Sequence, residues 1–365
     1  MIAGLRRFGE RLTDGLLGRG SAAITVPVMD GALLPNRVLD QAPVLAELPG
    51  IDDLACDAQT LWASAGPVLW RWDGNQFSEA ARFDADITAV AADPDSGRLA
   101  VALSGRSIRL LGPGLSELQR LEALAGRPLV CANALAFDGA DYLLFSDGSA
   151  LHGPAQWCHD LMGLGSSGRA GRWQFASGAT ELLASGLAFA GGVLPRPGGA
   201  LLSQSWRHQV MSVRGGAISA LTAELPAYPS RMASASAGGF WLCCFVSRTQ
   251  LVEFVLREPA YRQRMVAEID PRHWIAPALS SGHSFLEPLQ GAGVKNMGVM
   301  KPWAPPRAYG LVLRVADDGR VLQSLHAQVD GRHHGITAVV EHQGRLYVAS
   351  KGSGRLLAVS LGAMA

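Results

Sequence analysis

Short apolar runs recur along the chain, and each is followed by a turn of Gly, Asp or Ser and then by a second apolar run. Within one such run, Leu69, Arg71 and Asp73 alternate with Trp70 and Trp72. Alternation with a period of two residues is typical of β-strands. The pattern therefore predicts strand–turn–strand units at 60–72, 98–111, 142–175, 200–213, 240–254 and 345–361.

A further short apolar segment precedes each unit and ends in its own Gly or Asp turn, as in ITAVAADPDSG and ANALAFDGAD. These segments are predicted to be the innermost strands, and their starts lie near Asp52, Ile87, Asn133, Gly191, Ser230 and Gly335. Repeats of about 40 residues with up to four strands each are typical of β-propellers. Six repeats predict an all-β, six-bladed β-propeller.

The last unit has no fourth strand before the chain ends, whereas the apolar segment at 37–50 has no partner upstream. We predict that this segment is the outer strand of the last blade and closes the ring, because closure removes free sheet edges. Residues 1–36 contain apolar side chains at helical spacing, so they are expected to form an amphipathic segment on a single propeller domain at 37–365.

Two insertions lengthen the repeats. The first lies between Ser149 and Gly171 in the third blade and is predicted to be a loop or short helix. The second, at 257–307, interrupts the fifth blade; its helical pattern stops at Asp270–Pro271, and a Gly- and Pro-rich stretch follows. Insertions of this length tend to be functional. We therefore expect the second one to form a lid over the mouth of the central channel.

The composition narrows the classes of function. Lys and Arg number 32 and Asp and Glu number 31, a net charge of +1 without a basic block, which disfavours nucleic-acid binding. No apolar stretch approaches the roughly 20 residues of a membrane-spanning helix, and the N-terminus lacks the apolar core of a secretory signal. We expect a cytoplasmic protein that acts on a small molecule; the oligomeric state is left open.

Several motifs occur in the order in which a known family carries them, among them GIDDLACD, NALAFDGADYLLFSDGS, LPAYPSRMASASAGGFWL and GITAVVEHQGRLYVAS. This series resembles the strictosidine synthase-like proteins, within the wider gluconolactonase, senescence-marker and paraoxonase propeller superfamily. The resemblance covers roughly 50–359 apart from the large insertion. It implies a six-bladed propeller, but the superfamily includes several activities.

The resemblance also implies where a metal would bind. In the metal-dependent hydrolases of the superfamily, acidic and amide side chains at the starts of the inner strands hold calcium or a similar ion. The matching positions here are Asp52, Asn133, Gly191 and Ser230, of which the first two retain oxygen donors for a hard cation. Gly191 has no side chain, and Arg231 adds a permanent positive charge. We therefore expect no metal cofactor; Asp52 and Asn133 are the remaining candidate ligands, or they satisfy backbone groups.

The resemblance suggests an acid/base group as well. Strictosidine synthase uses a Glu near the start of the last blade as general base, and an alignment on EHQGRLYVAS puts His334, or His333 with a shift of one residue, at that position. Imidazole titrates near neutral pH, although adjacent histidines can also be turn residues. The lid supplies candidate substrate-binding residues, some of which could simply anchor it: Trp274, His283, Glu287, Lys295 and Trp303.

Three functions follow from these expectations. The first is a lactonase- or esterase-type hydrolase, in which His334 or His333 activates water, Asn133 and Arg231 stabilise an oxyanion, and Asp52 orients the imidazole. The second is a Pictet–Spengler-type carbon–carbon or carbon–nitrogen synthase or lyase, as in the plant enzyme. The third is a propeller that binds a ligand or acts as a scaffold without catalysis. The sequence leaves open whether the protein is an enzyme.

Overall fold

The computed structural model describes residues 26–284, 286–288 and 308–363. The described chain contains six antiparallel sheets of four strands each. Each innermost strand contacts the innermost strands of both neighbouring blades, so the sheets form a closed ring around a central channel. The prediction of a six-bladed β-propeller is confirmed. No helix in the described part of the chain is long and apolar enough to cross a bilayer.

The blades follow the chain order. Blade one contains β2 (Ile51–Cys56), β3 (Leu61–Ala65), β4 (Val68–Trp72) and β5 (Phe77–Arg82). Blade two contains β6 (Ile87–Ala92), β7 (Leu99–Leu103), β8 (Ser107–Leu111) and β9 (Glu117–Leu121), and a small ribbon follows it, β10 (Ala123–Leu124) with β11 (Arg127–Pro128). Blade three contains β12 (Ala132–Asp138), β13 (Tyr142–Asp147), β14 (Gly168–Gln174) and β15 (Thr180–Leu187).

The second half of the ring repeats this arrangement. Blade four contains β16 (Ala190–Arg196), β17 (Gly199–Gln204), β18 (Gln209–Arg214) and β19 (Ala217–Thr222). Blade five contains β20 (Ala227–Ser234), β21 (Phe240–Ser247), β22 (Gly310–Val315) and β23 (Val321–Ala327). Blade six contains β24 (Ile336–His342), β25 (Arg345–Ser350), β26 (Arg355–Ser360) and the N-terminal strand β1 (Val44–Glu47).

Burial explains the apolar pattern of the strands. The second strand of blade two, β7, is buried at every position, because neighbouring blades cover both of its faces. The outermost strand of blade four, β19, is mostly exposed and correspondingly mixed in composition. Inner strands therefore read as continuous apolar runs, whereas outer strands carry only a weak signal.

The ring closes through the N-terminal strand, as predicted. β1 pairs antiparallel with β26, and Val44 lies opposite Leu357. A short helix before it, α1 (Val38–Gln41), buries Leu39 completely against the last two blades. Asn36 donates to the carbonyl of Ser324 at 2.8 Å, which ties the preceding segment to blade five. The part of the predicted amphipathic segment at 1–25 lies outside the described residues.

Both predicted insertions are present. Helix α2 (Trp157–Met162) lies within blade three, and α3 (Gln250–Arg257) and α4 (Pro259–Glu268) follow β21 in blade five. The second insertion therefore begins at 248, directly after β21, rather than at 257. Thr249 caps α3 by accepting a hydrogen bond from the backbone of Val252 at 3.2 Å. The described part of this insertion packs on the propeller through an apolar cluster that also includes residues of α2.

A register irregularity occurs near the start of every innermost strand. The pairing skips one or two residues there, as between Ile51 and Leu54 in β2 and between Ile336 and Ala338 in β24. The other four innermost strands carry the same feature. A bulge of this kind changes the direction of a side chain that would otherwise project from one face of the sheet. The residues at these irregularities are Asp52, Asp53, Thr88, Asn133, Gly191, Ser230, Arg231 and Thr337.

Candidate functional site

A cavity of about 560 Å³, part of which is open to solvent, lies at one mouth of the central channel. All the residues at the inner-strand irregularities except Asp53 line it, so the six bulges converge on one place. Lys351, which follows β25, contributes a second positive charge beside Arg231. Apolar side chains form the remaining wall: Pro154, Trp157, Phe189, Phe245 and Leu279.

The guanidinium of Arg231 lies at the centre of the ring. Its Nε donates to the carbonyl of Asn133 at 2.8 Å, and its Nη2 donates to the carbonyl of Thr88 at 2.6 Å. Its Nη1 donates to the carbonyls of Asp52 at 2.9 Å and Thr337 at 3.2 Å. One side chain from blade five thereby links the inner strands of blades one, two, three and six.

Two neighbouring carboxylates accompany this cation. Asp52 Oδ1 lies 3.4 Å from Arg231 Nη1 and 3.1 Å from Lys351 Nζ. Asp53 Oδ2 lies 3.4 Å from Arg231 Nε on the other side, and its carboxylate also accepts two backbone N–H groups. Charges of alternating sign therefore run along the channel from Asp53 through Arg231 and Asp52 to Lys351.

The two carboxylates differ in protonation. Burial would raise the pKa of Asp52, but the positive charges of Lys351 and Arg231 outweigh burial, so its pKa lies below the ordinary value. Burial raises the pKa of Asp53 to about 6, since the single opposing charge of Arg231 compensates only in part. Asp52 is consequently ionised at neutral pH, whereas Asp53 titrates just below it.

The apolar wall is held by aromatic contacts. Trp157, on α2, packs edge-on against Phe245 of β21 with ring centroids 5.3 Å apart. Leu279 reaches the cavity from the described part of the large insertion. Gly352 makes this approach possible, because a Cβ at that position would collide with the carbonyl oxygen of Leu279. The described part of the insertion thus reaches this mouth of the channel through Leu279.

No family model matches the sequence, and no curated protein is significantly similar to it. Among solved structures, a gluconolactonase from Xanthomonas campestris has a TM-score of 0.57 at 15% identity, over 92% of this chain and 95% of that one. Regucalcin, a calcium-binding protein from Agrobacterium tumefaciens, has a TM-score of 0.53 at 10% identity, over 87% and 92%. The chain has the fold of the gluconolactonase and regucalcin propellers.

A luciferin-regenerating enzyme is similar to the same extent, with a TM-score of 0.53 at 12% identity over 89% of this chain and 94% of its own. These neighbours belong to the wider superfamily that the motifs indicated, which confirms that expectation for the fold. Identities of this order show the fold and do not establish the reaction. The narrower strictosidine synthase-like assignment stays a prediction.

Because the neighbouring regucalcin is a calcium-binding protein, we asked whether the inner-strand positions of this chain suit such an ion. Calcium takes six to eight oxygen ligands, and a positively charged side chain among them would oppose its binding. In this propeller the guanidinium of Arg231 already lies among the carbonyl oxygens, and Gly191 offers no side chain. Nor does the described part of the chain contain a cluster of three His, Cys, Asp or Glu residues suited to a metal. These residues do not fit a divalent ion.

Three of the residues singled out from the sequence meet at the site: Asp52, Asn133 and Arg231 line the same cavity. The two histidines do not line it. His334 is 7% exposed, and its Nε2 lies 2.7 Å from the carbonyl oxygen of Gln328. His333 is also buried, and burial lowers its pKa.

In the last blade, the residue that faces the channel is Thr337 instead. It lies three positions after His334, and its hydroxyl donates to the carbonyl of Asp52 at 2.6 Å. The motif alignment on EHQGRLYVAS therefore does not find the channel position of blade six.

The candidate residues of the lid are not among the described lining residues of the cavity. Trp274 is 3% exposed and donates its indole N–H to a backbone carbonyl at the end of α4 at 2.9 Å, which anchors the insertion. Glu287 accepts the backbone N–H of His283 at 2.8 Å in an exposed loop. Lys295 and Trp303 lie outside the described residues.

Sequence reasoning missed several lining residues. A shared signal was available for two of them, because Thr88 and Thr337 each follow a buried Ile at the start of an inner strand, as Asp52 follows Ile51. Lys351 gave no comparable signal, since KGSG reads as an ordinary turn. The apolar wall residues come from four separate segments that only the closed ring brings together.

Proposed function

We propose that this propeller hydrolyses a lactone or ester bond of a small molecule bound at the channel mouth. The observation that carries the proposal is the pair formed by Asp52 and Lys351, 3.1 Å apart, beneath an apolar wall in a cavity of about 560 Å³. A mostly apolar pocket with a few convergent polar groups is the usual form of a small-molecule site. The gluconolactonase among the structural neighbours is consistent with this reaction class.

The proposed reaction uses the two charges separately. The Asp52 carboxylate takes a proton from water, and the water oxygen adds to the carbonyl carbon of the substrate. The ammonium group of Lys351 stabilises the negative charge that develops on the carbonyl oxygen. When the bond between carbon and the leaving oxygen breaks, Asp52 returns its proton to that oxygen. The lowered pKa of Asp52 keeps the required basic form present at neutral pH.

Asn133 is proposed as a second donor to the substrate. Its Oδ1 accepts the hydroxyl of Ser146 at 2.7 Å, so its NH₂ group is the part that can donate to a ligand. Arg231 is not given the oxyanion role expected from the sequence, because its Nε, Nη1 and Nη2 already donate to backbone carbonyls. Asp52 replaces His333 and His334 as the proposed base, because Asp52 lines the cavity and the two histidines do not.

A panel of lactones and aryl esters tests the proposal. Lys351→Met and Asp52→Asn should each lower kcat by on the order of 10²-fold, as the loss of an oxyanion donor or a general base does. Arg320→Met is the matched control, because Arg320 forms an exposed ion pair with Asp318 at 2.9 Å on the outside of blade five. Turnover that survives both site substitutions would exclude the proposed mechanism.

A propeller that binds a ligand without catalysis is the second candidate. Its support is that Asp52 is held by two cations, which weakens it as a base. In that case calorimetry would detect binding of a lactone or carboxylate that Lys351→Met abolishes, while no substrate of the panel is turned over. The synthase alternative lacks comparable support, since none of the described lining residues is a glutamate.

A further inference from the structure

Arg231 separates two cavities on the axis of the ring. It lines the cavity at the site, and it also lines a larger one of about 1200 Å³ at the opposite mouth, together with Asp53 and Glu341. The side chain is nevertheless largely enclosed, with 13% of its surface exposed. A buried arginine of this kind needs oxygen partners for its five N–H groups.

The oxygen atoms around the guanidinium form a set that suits a cation. Four are the backbone carbonyl oxygens of Asp52, Thr88, Asn133 and Thr337, at 2.6 to 3.2 Å from the nearest nitrogen. Two are carboxylate oxygens of Asp52 and Asp53, each at 3.4 Å. Carbonyl and carboxylate oxygens are the ligands that hard cations take in proteins. In this propeller the cation among these oxygen atoms is the guanidinium of Arg231, a group of the protein itself.

Blade four is adapted to this arrangement. A Cβ on Gly191 would lie 3.0 Å from the carbonyl oxygen of Pro229, and one on Gly192 would collide with the carbonyl of Ser230. A Cβ on Gly191 would also lie only 2.5 Å from the hydroxyl oxygen of Ser205. The absence of side chains at these two positions thus leaves room for the strand that carries Arg231 to pack closely on blade four.

We propose that the centre of the channel is a cation site that the protein fills with the guanidinium of Arg231. Removal of this side chain would leave a site for a small external cation, either a guanidinium ion or a divalent ion that prefers oxygen ligands. The intact protein would need no metal at this position. This inference rests on the channel geometry alone, and it holds whether or not the protein hydrolyses lactones.

Thermal unfolding of the full chain tests the proposal without an activity assay. Chelator should leave the melting temperature of the wild type unchanged, and the purified protein should contain no stoichiometric metal. Arg231→Ala should unfold at a temperature lower by on the order of 4–7 °C, because it leaves two carboxylates without their buried partner. Millimolar guanidinium or calcium should restore part of this loss, at concentrations far below those that denature proteins.

Arg169→Ala is the matched control. Arg169 is also buried and bonds to Asp147 and to the carbonyls of Leu124 and Pro128, but these partners lie away from the axis. Calcium should not restore its stability. If Arg231→Ala does not fold, Arg231→Lys and Arg231→Met replace it, and the lysine variant should be the more stable of the two.

Three results would overturn the proposal. One is a stoichiometric metal in the wild type whose removal lowers the melting temperature. Another is a methionine variant at Arg231 that is as stable as the lysine variant, since the side chain would then act by volume and not by charge. The third is an Arg231→Ala protein that responds to neither guanidinium nor calcium. A lack of turnover on any substrate would leave the proposal unaffected.

Discussion

The N-terminal segment that closes the ring provides a direct test of the fold. Leu39 on α1 is fully buried in a cluster with Leu325 of β23 and Leu357 of β26. Truncation of Leu39 to Ala removes a buried side chain and should cost about 2–5 kcal/mol in the free energy of unfolding. For a protein of 365 residues, that loss corresponds to a melting temperature lower by about 3–7 °C.

The loss of stability in the Leu39→Ala variant should also affect β1, the strand that closes the ring. β1 pairs with β26 through only three residue pairs, and the register is irregular between Val44 and Ala46. Such a short, interrupted pairing depends on the burial of α1 beside it. In the Leu39→Ala variant, amide hydrogen exchange should therefore rise in β26, where the N–H of Ala358 donates to the carbonyl of Pro43 at 3.2 Å.

Val44→Ala is the matched control for this experiment. Val44 lies on the closing strand itself, but it is 43% exposed, so its truncation should change the free energy of unfolding by no more than about 0.5 kcal/mol. The exchange of β15, the outer strand of blade three, should be unchanged in both variants. An equal effect of the two substitutions, or exchange that rises equally in all blades, would refute the role assigned to α1.

Two further predictions concern the channel and the lid. Folding raises the pKa of Asp53 from 3.8 to about 6, so protonated Asp53 stabilises the folded protein fully below about pH 4, and this contribution is lost as the pH rises through 6. Asp53→Asn should remove the resulting slope of melting temperature against pH. An unchanged slope would refute the assignment. Gly352→Ala should displace Leu279, lower the free energy of unfolding by about 1–3 kcal/mol and weaken ligand binding. Gly114→Ala is the control, because a Cβ there meets nothing within 4 Å and should have none of these effects. Equal effects of the two substitutions would contradict the lid contact.

The repeating part of the fold could be predicted from the sequence because its causes are local. Inner strands such as β7 are buried on both faces, whereas outer strands such as β19 are mostly exposed, so the composition of these runs reflects their place in the blade. The closing role of 37–50 followed from an unpaired apolar segment at one end and a missing strand at the other. The helix α4 followed from its pattern and from the stop at Asp270–Pro271.

The site could be predicted only in part, because its causes are not local. Asp52, Asn133 and Arg231 could be found because they lie at strand starts with side chains of recognisable chemistry. The partners of Arg231 could not, since four of them are backbone carbonyls, which every residue has. The channel position of blade six was missed because a short motif fixed the alignment, whereas the bulge between Ile336 and Ala338 determines which residue faces the axis.

The proposed catalytic pair and the proposed cation site share one residue, Asp52. Its backbone carbonyl accepts Arg231 Nη1 at 2.9 Å, while its Oδ1 lies between that nitrogen and Lys351 Nζ. Arg231 therefore helps to fix the position of the group that is proposed to activate water, and together with Lys351 it keeps that group ionised. Substitution of Arg231 should raise the pKa of Asp52, because burial then acts against one cation instead of two. Any turnover that remains should consequently shift its acidic limb to higher pH.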